Sequence, residues 1–417
     1  QAPSEIPDPG HPFILVARDL APADTALLNL DVVLGLITSG GGPTSHTAIV
    51  AREKSILAIV GAAQAAELVD GDEVILDAAH GVVVTHPTEP EKADAAKRIA
   101  ERLARRDAPI TPGKLADGTP VALLANLANS EGAADAVALG AEGVGLFRTE
   151  FLFLDSVAAP NIETQQHKYE LMLREFPGKK VVVRALDAGA DKPLAFLNDA
   201  AEENPALGLR GLRSLRASEG ILRDQLTALA QADAVTDADL WVMAPMVATV
   251  EETTYFVTLA HEHGLKTAGV MIEIPSAALL ADRVLAQADF ASIGTNDLTQ
   301  YTLAADRMLG SVAAYQDPWH PAVLALIRTV GEAGSAFGKP VGVCGEAAAD
   351  PLLAVVLVGL GVTSLSMSAS ALADVRASLA GYTLDAARSL AQLALAADGA
   401  PEARVAVAEA AALLSIS

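Results

Sequence analysis

Eight short runs of β-forming residues, each followed by a helix-sized segment, fill about the last 300 residues of this 417-residue chain. The runs cover residues 121–127, 143–147, 181–186, 241–246, 269–272, 290–293, 341–343 and 364–367. Strands that alternate with helices favour a parallel sheet, and eight such repeats are enough to close the sheet on itself. The spacing therefore predicts an α/β protein built on a (β/α)8 TIM barrel.

Polar residues recur where the predicted strands end. They are Asn126, Arg148, Arg184, Asp187, Glu273, Asn296, Asp297, Cys344 and Ser368. Any single one of them is more typical of a solvated loop. Because TIM barrels build their active sites from the loops that follow the strands, the repeated pattern predicts a site at the carboxyl end of the barrel.

The part of the chain before the barrel has a different pattern. Residues 12–85 alternate β-rich runs with turn signals, which predicts a compact α/β unit. Residues 89–106 are charged and rich in alanine, which favours a helix that could act as a connector. We therefore predict a small domain over residues 1–88, a helical linker over 89–111 and the barrel over 112–417.

A glycine triplet runs directly into a helix-forming segment at residues 40–52, which read GGGPTSHTAIVAR. Free backbone N–H groups at a helix start suit an anion. The imidazole of His46 stands at this junction, and a neutral ring nitrogen is a competent nucleophile near neutral pH. The pattern indicates a phosphohistidine, although a glycine-rich turn before a helix that carries a structural histidine is equally open on these residues alone.

The same stretch resembles the phosphohistidine signature of the phosphoenolpyruvate-utilising enzymes. Further segments are similar to the barrel domain of that family: GTNDLTQYTLA at 294–304 followed by Arg307, VCGE at 343–346 and LSMS at 365–368. The similarity is closest to the enzyme I branch, the phosphoenolpyruvate–protein phosphotransferases of sugar uptake. The resemblance implies a swivelling phosphohistidine domain joined to a phosphoenolpyruvate-binding barrel, with His46 accepting the phosphoryl group and pyruvate leaving.

Arginines in apolar surroundings are the candidates for binding the substrate. Arg148 and Arg184 lie within apolar runs, where a cation is costly unless an anion meets it. Phosphoenolpyruvate carries a phosphate and a carboxylate, and both suit guanidinium forks. The resemblance implies that the substrate is held by Arg148, Arg184, Arg210, Asn296, Asp297 and Arg307, with Lys192 as a weaker candidate. Structural pairing of these arginines with Asp187 or Glu150 is the open alternative.

Two carboxylates follow successive predicted strands, Glu273 in the context IEIP and Asp297 in the context TNDL. Their side chains should converge at the mouth of the barrel. Two protein carboxylates suit Mg²⁺, which keeps water ligands and takes further oxygens from a phosphate. The sequence therefore predicts a magnesium site made by Glu273 and Asp297.

The single cysteine, Cys344, follows the seventh predicted strand. Loss of the phosphoryl group leaves an enolate that must gain a proton at carbon, and a thiol at a strand end can donate it. The family resemblance implies that Cys344 is this proton donor. Without the resemblance, a lone cysteine in VGVCG is more typical of a buried apolar residue.

Composition narrows the function classes further. A net charge of −23 and 4% aromatic residues lack the basic and stacking surfaces of a nucleic-acid-binding protein. No apolar run approaches the roughly 20 residues of a membrane span, and no signal peptide is visible. One cysteine excludes an intramolecular disulfide and fits a reducing compartment. We therefore predict a cytoplasmic protein without membrane insertion.

The resemblance also implies partners. The phosphocarrier protein HPr would accept the phosphoryl group from His46, and the barrel would form a homodimer. In the enzyme I branch, HPr docks on a helical segment that should precede the strand at 12–16, where this chain has only about ten residues. The sequence thus predicts a first domain that is incomplete at its N-terminal end and lacks the HPr-docking segment.

Two other functions remain open on the sequence. The chain could be a fragment of a pyruvate phosphate dikinase or a phosphoenolpyruvate synthase, which share the histidine domain and the barrel but add a nucleotide-binding domain. It could also be a non-catalytic phosphoenolpyruvate-binding module. Retention of His46, Cys344 and both carboxylates argues against the non-catalytic interpretation.

Overall fold

The computed structural model describes residues 6, 8–20, 28–40, 47–48, 51, 56–154, 156–189, 194, 196–197 and 201–416. The chain divides into two compact units. The first comprises Gln1–Asp107 with Ala305–Ala314, and the second comprises Ala108–Ala304 with Tyr315–Ser417. Each unit is an α/β structure with its own buried core.

The first unit contains a parallel sheet and a hairpin. The described strands are β1 Phe13–Ala17, β2 Val33–Thr38, β3 Ala58–Ile59, β4 Val74–Asp77 and β5 Val82–Thr85. The strands β1, β2 and β3 pair in parallel in that order, whereas β4 and β5 pair antiparallel. Two small clusters form the core, centred on Leu36 on one side of the parallel sheet and on Ile37 on the other.

A long helix, α1 Glu89–Asp107, follows the hairpin and confirms the predicted helix. At its start, the Thr88 N–H and hydroxyl donate to Glu91 Oε2 at 2.7 and 2.8 Å, which is the glutamate half of a capping box. Arg98 of α1 pairs with Asp77 of β4 at 3.1 Å. The helix therefore lies against the hairpin that precedes it.

The second unit is built on a closed barrel of eight parallel strands, as the sequence predicts. The strands are β6 Ala122–Leu127, β7 Val144–Arg148, β8 Lys180–Arg184, β9 Asp239–Ala244, β10 Thr267–Ile272, β11 Ala291–Ile293, β12 Val341–Val343 and β13 Ser364–Met367. They pair in chain order, and β13 closes the barrel against β6. The predicted fourth run is displaced by two residues, because the backbone at Met246 takes a φ of 57°, which ends the strand.

Helices surround the barrel. They are α2 Ala133–Ala138, α3 Ile162–Leu173, α4 Leu212–Ala217, α5 Glu219–Ala234, α6 Val250–Glu262, α7 Pro275–Leu279, α8 Ala281–Gln287, α9 Thr295–Leu303, α10 Pro321–Phe337, α11 Pro351–Gly359, α12 Leu372–Ala380, α13 Leu384–Ala396 and α14 Ala400–Leu414. Within the described ranges, no helix combines the length and the apolar character needed to cross a membrane.

The barrel strands bury two separate apolar layers. Side chains that point outward, such as Val183 and Val242, join the large core between strands and helices. Side chains that point inward form a smaller cluster that includes Met243, Phe290 and Cys344. This alternation along each strand places Cys344 on the inner face of the barrel.

Candidate functional site

Six charged side chains at the carboxyl ends of the barrel strands are almost completely buried. They are Glu150, Arg184, Asp187, Arg210, Glu273 and Asp297, each with at most 8% of its surface exposed. Four carboxylates therefore face two guanidinium groups in a region that excludes most water. This buried excess of negative charge favours the binding of a cation.

Arg184 ends β8 and is held by two of the carboxylates. Its Nη2 donates to Glu150 Oε1 at 2.7 Å, and its Nη1 lies 3.4 Å from Asp187 Oδ2. Burial opposes the charge on Arg184, but the nearby carboxylates outweigh burial and raise its pKa. The buried Nε of Arg184 makes no hydrogen bond within the described residues. Arg184 thus pairs structurally and still retains a donor at the site.

Arg210 crosses the site from the segment before α4. Its Nη1 and Nη2 donate to the two carboxylate oxygens of Asp297, each at 3.2 Å. Its Nη2 also lies 3.7 Å from Asp187 Oδ2. This planar two-bond pairing is typical of arginine with a carboxylate and fixes the guanidinium plane. Asp187 therefore lies between the two arginines and contacts both of them.

Glu273 follows β10 and is 1% exposed. Its Oε2 accepts a hydrogen bond from the Met246 N–H at 2.8 Å, which the positive φ of Met246 directs toward the site. Burial, and then the negative charges of Asp297 and Asp187, raise the pKa of Glu273 to about 8. A side chain at Gly294 would lie 2.7 Å from Glu273, so glycine leaves the room that this carboxylate needs.

The loops after β11 and β12 are tied together beside Asp297. The Glu346 N–H donates to Asn296 Oδ1 at 3.1 Å. Thr295, at the first turn of α9, has a buried hydroxyl with no hydrogen-bond partner in the described structure. A Cβ at Gly345 would approach that hydroxyl to 2.0 Å, so the two loops can pack this closely only because position 345 is glycine.

Cys344 follows β12 and is 2% exposed. Its Sγ donates to the Ile293 carbonyl at 3.7 Å, and its own carbonyl accepts from Asn126 Nδ2 at 3.0 Å. Burial raises the pKa of the Cys344 thiol to about 11, so the group is protonated at neutral pH. The thiol therefore has the protonation state that an acid requires.

The predicted residues are only partly brought together. Arg148 ends β7 directly beside Arg184 in the strand register. His46 and Lys192 lie outside the described residues. Arg307 belongs to Ala305–Ala314, which groups with the first unit. The roles of these three residues stay predictions, as do the roles of the site residues that the structure does bring together.

Thr47, the residue after His46, is described and is 1% exposed. Its hydroxyl lies 3.1 Å from Asp19 Oδ1 and 3.2 Å from the Leu20 carbonyl, and it can donate to either. These contacts tie the start of the helical segment at 47–48 to the segment that follows β1. The residue next to the candidate nucleophile is thus anchored by side-chain hydrogen bonds.

A buried polar network beneath Arg184 was not predicted from the sequence. Gln225 of α5 accepts from the Leu186 N–H at 2.9 Å and donates to the Thr149 hydroxyl and to the Tyr169 hydroxyl, both at 3.1 Å. Thr149 in turn donates to the Arg184 carbonyl at 3.0 Å. A glutamine on the apolar stripe of an amphipathic helix is the signal that could have indicated it.

We expect the substitution Gln225→Met to lower the free energy of unfolding by about 2–4 kcal/mol. It removes one acceptor and two donors from fully buried partners, and each partner left unsatisfied costs about 1–3 kcal/mol before relaxation. Urea unfolding followed by circular dichroism measures the change. Gln231→Met, on the exposed face of the same helix, should leave stability within about 0.5 kcal/mol of the original. An equal loss in both variants would contradict the assignment.

The fold and the ionic cluster together define a TIM-barrel protein whose charged site lies at the carboxyl ends of the strands. Residues 104–384 match the family model for the PEP-utilising enzyme, PEP-binding domain. Residues 9–81 match the model for the PEP-utilising enzyme, mobile domain. The first match alone covers more than half of the chain.

Curated relatives agree with the family models. The chain is 53% identical to the phosphoenolpyruvate-protein phosphotransferase of Streptomyces coelicolor, over 96% of this chain and 72% of that protein. It is 42% identical to the multiphosphoryl transfer protein of Rhodobacter capsulatus, over 95% of this chain and 49% of that protein. A phosphoenolpyruvate-protein phosphotransferase of Staphylococcus aureus is 39% identical, over 94% of this chain and 72% of that protein. The chain belongs to the PEP-utilising enzyme family.

Proposed function

We propose that this protein transfers the phosphoryl group of phosphoenolpyruvate to His46 and releases pyruvate, and that the phosphoryl group then passes to an HPr-type phosphocarrier protein. The observation that carries the proposal is the buried cluster of Arg184, Arg210, Glu273 and Asp297 at the carboxyl ends of the strands. Family membership and 53% identity to a phosphoenolpyruvate-protein phosphotransferase support it.

The arginines would hold the anionic groups of the substrate. Arg184 and Arg210 are already oriented by Glu150 and Asp297, so their planar forks are fixed before a ligand arrives. The buried Nε of Arg184 supplies an unused donor. We assign phosphate and carboxylate binding to Arg148, Arg184, Arg210, Asn296 and Asp297, and we keep Arg307 and Lys192 as further candidates.

The residues present fit a divalent cation. Glu273 and Asp297 are close enough for the charge of Asp297 to raise the pKa of Glu273, and four buried carboxylates outnumber two buried guanidinium groups. In the described part of the chain, no group of three or more His, Cys, Asp or Glu side chains is arranged as a metal site. We propose Mg²⁺ held by Glu273 and Asp297, where it would neutralise charge on the phosphoryl oxygens.

Cys344 would complete the reaction by protonation. Cleavage of the phosphorus–oxygen bond leaves the electron pair on the enolate of pyruvate, and the thiol proton moves to the terminal carbon. Burial keeps the thiol protonated, and its position on the inner face of the barrel places it beside the strand ends that carry the other groups. Phosphoryl transfer and protonation thus use different residues.

We expect Cys344→Ala to slow pyruvate formation by about 10²–10⁴-fold while phosphoenolpyruvate still binds. The arginines and carboxylates remain, so calorimetric titration should give an affinity close to that of the original protein. Solvent deuterium should also no longer enter the methyl group of pyruvate. Turnover at the original rate would mean that Cys344 is only a packed thiol.

The proposal requires His46 to reach the bound phosphoryl group, since in-line transfer needs reacting atoms roughly 3–3.5 Å apart. A mobile first domain over 1–88, with residues 89–111 as the linker to the barrel at 112–417, would allow this approach and a later approach to HPr. The mobile-domain match over residues 9–81 supports this division. We also propose a homodimer formed through the barrel, which sedimentation velocity tests directly.

The direct test of the function is incubation with phosphoenolpyruvate and Mg²⁺ followed by intact-mass measurement. A phosphoryl adduct that acid removes is the expected result, together with one pyruvate per adduct. Discharge of the adduct by added HPr would support HPr as the acceptor, whereas AMP with diphosphate should not discharge it. Discharge by the nucleotide would favour a dikinase, and binding of phosphoenolpyruvate without an adduct would favour a non-catalytic module.

A further inference from the structure

The interior of the barrel contains a cavity of about 20 Å³. One water molecule needs roughly 10–15 Å³ and two to four polar partners. The hydroxyl-bearing residues Ser292, Ser364 and Ser366 line this cavity. Both requirements for a buried water molecule are therefore met.

This serine-lined wall is unusual for the inside of such a barrel, which bulky branched side chains normally fill. Two glycines leave the space for it. A Cβ at Gly342 would lie 2.5 Å from the Ser364 hydroxyl, and a Cβ at Gly145 would lie 2.4 Å from the Ser366 hydroxyl. Small and polar residues on β7, β11, β12 and β13 thus replace the usual apolar layer.

The serine-lined cavity adjoins Cys344. Gly342 and Val343, the two residues before Cys344, line it. Ser292 pairs with Gly342, two residues before Cys344, in the register of the neighbouring strands. Its side chain lowers the pKa of the Cys344 thiol, against the larger effect of burial. One hydroxyl therefore lies near the thiol and also lines the cavity.

Proton donation by Cys344 would leave a buried negative charge, which a nearby hydroxyl can stabilise. After the thiol gives its proton to the enolate, a thiolate remains among Leu146, Met243 and Phe290, where a charge is costly. With the substrate bound at the carboxyl end of the barrel as proposed, the product would still cover the thiol on that side. Reprotonation from the inner side of the barrel avoids this obstruction.

We infer that Ser292 and a water molecule in the serine-lined cavity return a proton to Cys344 after each turnover, an inference that rests on the proposed function. The Ser292 O–H proton moves to the sulfur, and the Ser292 oxygen takes a proton from the water. The water regains its proton from solvent at the amino end of the strands, where Lys180, the first residue of β8, lines the cavity and is partly exposed. Ser292 is thus a positioning and relay residue, and no oxidation or reduction occurs.

Three variants test the relay. Ser292→Ala removes the hydroxyl, Ser292→Thr restores one, and Ser214→Ala removes a buried hydroxyl on α4 that does not line the cavity. The readout is the entry of solvent deuterium into the methyl group of pyruvate, catalysed by the phosphorylated protein. KM for phosphoenolpyruvate and the free energy of unfolding are measured beside it.

We expect Ser292→Ala to slow the exchange at least about tenfold with an unchanged KM. Ser292→Thr should recover most of the rate, and Ser214→Ala should match the original protein. Exchange at the original rate in Ser292→Ala would overturn the relay. So would a loss that Ser292→Thr does not recover or that comes with a raised KM, because both indicate a structural role.

A crystal structure provides a second measurement that does not depend on activity. It should contain an ordered water molecule hydrogen-bonded to at least two of the three serines, and an empty cavity would overturn the inference. The failure of the proposed function gives a different result, since the original protein would then form no phosphoryl adduct at all. An adduct with unchanged exchange in Ser292→Ala refutes the relay alone.

Discussion

His46→Ala is expected to abolish the phosphoryl adduct formed from phosphoenolpyruvate. The substitution removes the nitrogen that would accept the phosphoryl group, while the ionic cluster that would bind the substrate belongs to the second unit. Intact-mass spectrometry should therefore find no acid-labile adduct. Calorimetry should find phosphoenolpyruvate affinity within about twofold of the original.

His80→Ala is the matched control, because His80 is an exposed histidine on the hairpin of the same unit. It should leave both adduct formation and substrate affinity unchanged. An adduct that persists in His46→Ala, or that disappears only in His80→Ala, would move the nucleophile to another residue. Loss of substrate affinity in His46→Ala would contradict the assignment of substrate binding to the second unit.

Glu273→Gln and Asp297→Asn are expected to remove magnesium dependence and to reduce pyruvate formation by at least about 10³-fold. Each variant keeps the size of the side chain but removes one of the two carboxylates proposed to hold the ion, so the charge balance of the site is lost. Titration calorimetry with Mg²⁺ in the presence of phosphoenolpyruvate measures the binding directly. Asp297→Asn should also weaken substrate affinity, because Arg210 loses the partner that orients it.

Glu262→Gln, an exposed carboxylate at the end of α6, serves as the control and should bind Mg²⁺ with the original affinity. Unchanged affinity in both Glu273→Gln and Asp297→Asn would locate the metal elsewhere. Both carboxylates interact with Arg210, so the double variant should lose little more activity than either single variant. Fully additive losses would contradict a shared site.

The partners of the buried arginines could not be predicted from the sequence. The apolar context of Arg184 indicates that an anion must lie nearby. A bound substrate and a protein carboxylate satisfy that condition equally well. The structure shows Arg184 paired with Glu150 and with its near neighbour Asp187, and Arg210 paired with Asp297. The contacts with Glu150 and Asp297 join residues 34 and 87 positions apart, distances over which no local sequence pattern gives information.

The roles of Gln225 and Ser292 could not be predicted from the sequence for a related reason. Each is a polar residue within an apolar segment, which the sequence alone treats as an interruption of the hydrophobic pattern. Their partners, Thr149 and Tyr169 for Gln225 and Cys344 for Ser292, come from other β/α repeats. Only the packing of helix against strand and of strand against strand turns these interruptions into networks.

The sequence by itself determined the barrel, because the alternation of strand and helix and the right-handed connection of parallel strands leave few other ways to bury eight apolar runs. It also determined that polar residues such as Glu273 and Cys344 follow the strands, since those residues are local to each repeat. The tertiary structure alone decided which charges meet and which hydroxyl lies near the thiol. The reason is physical: closure of the barrel brings strand ends together across long stretches of chain, and only there does burial make each charge depend on its neighbours.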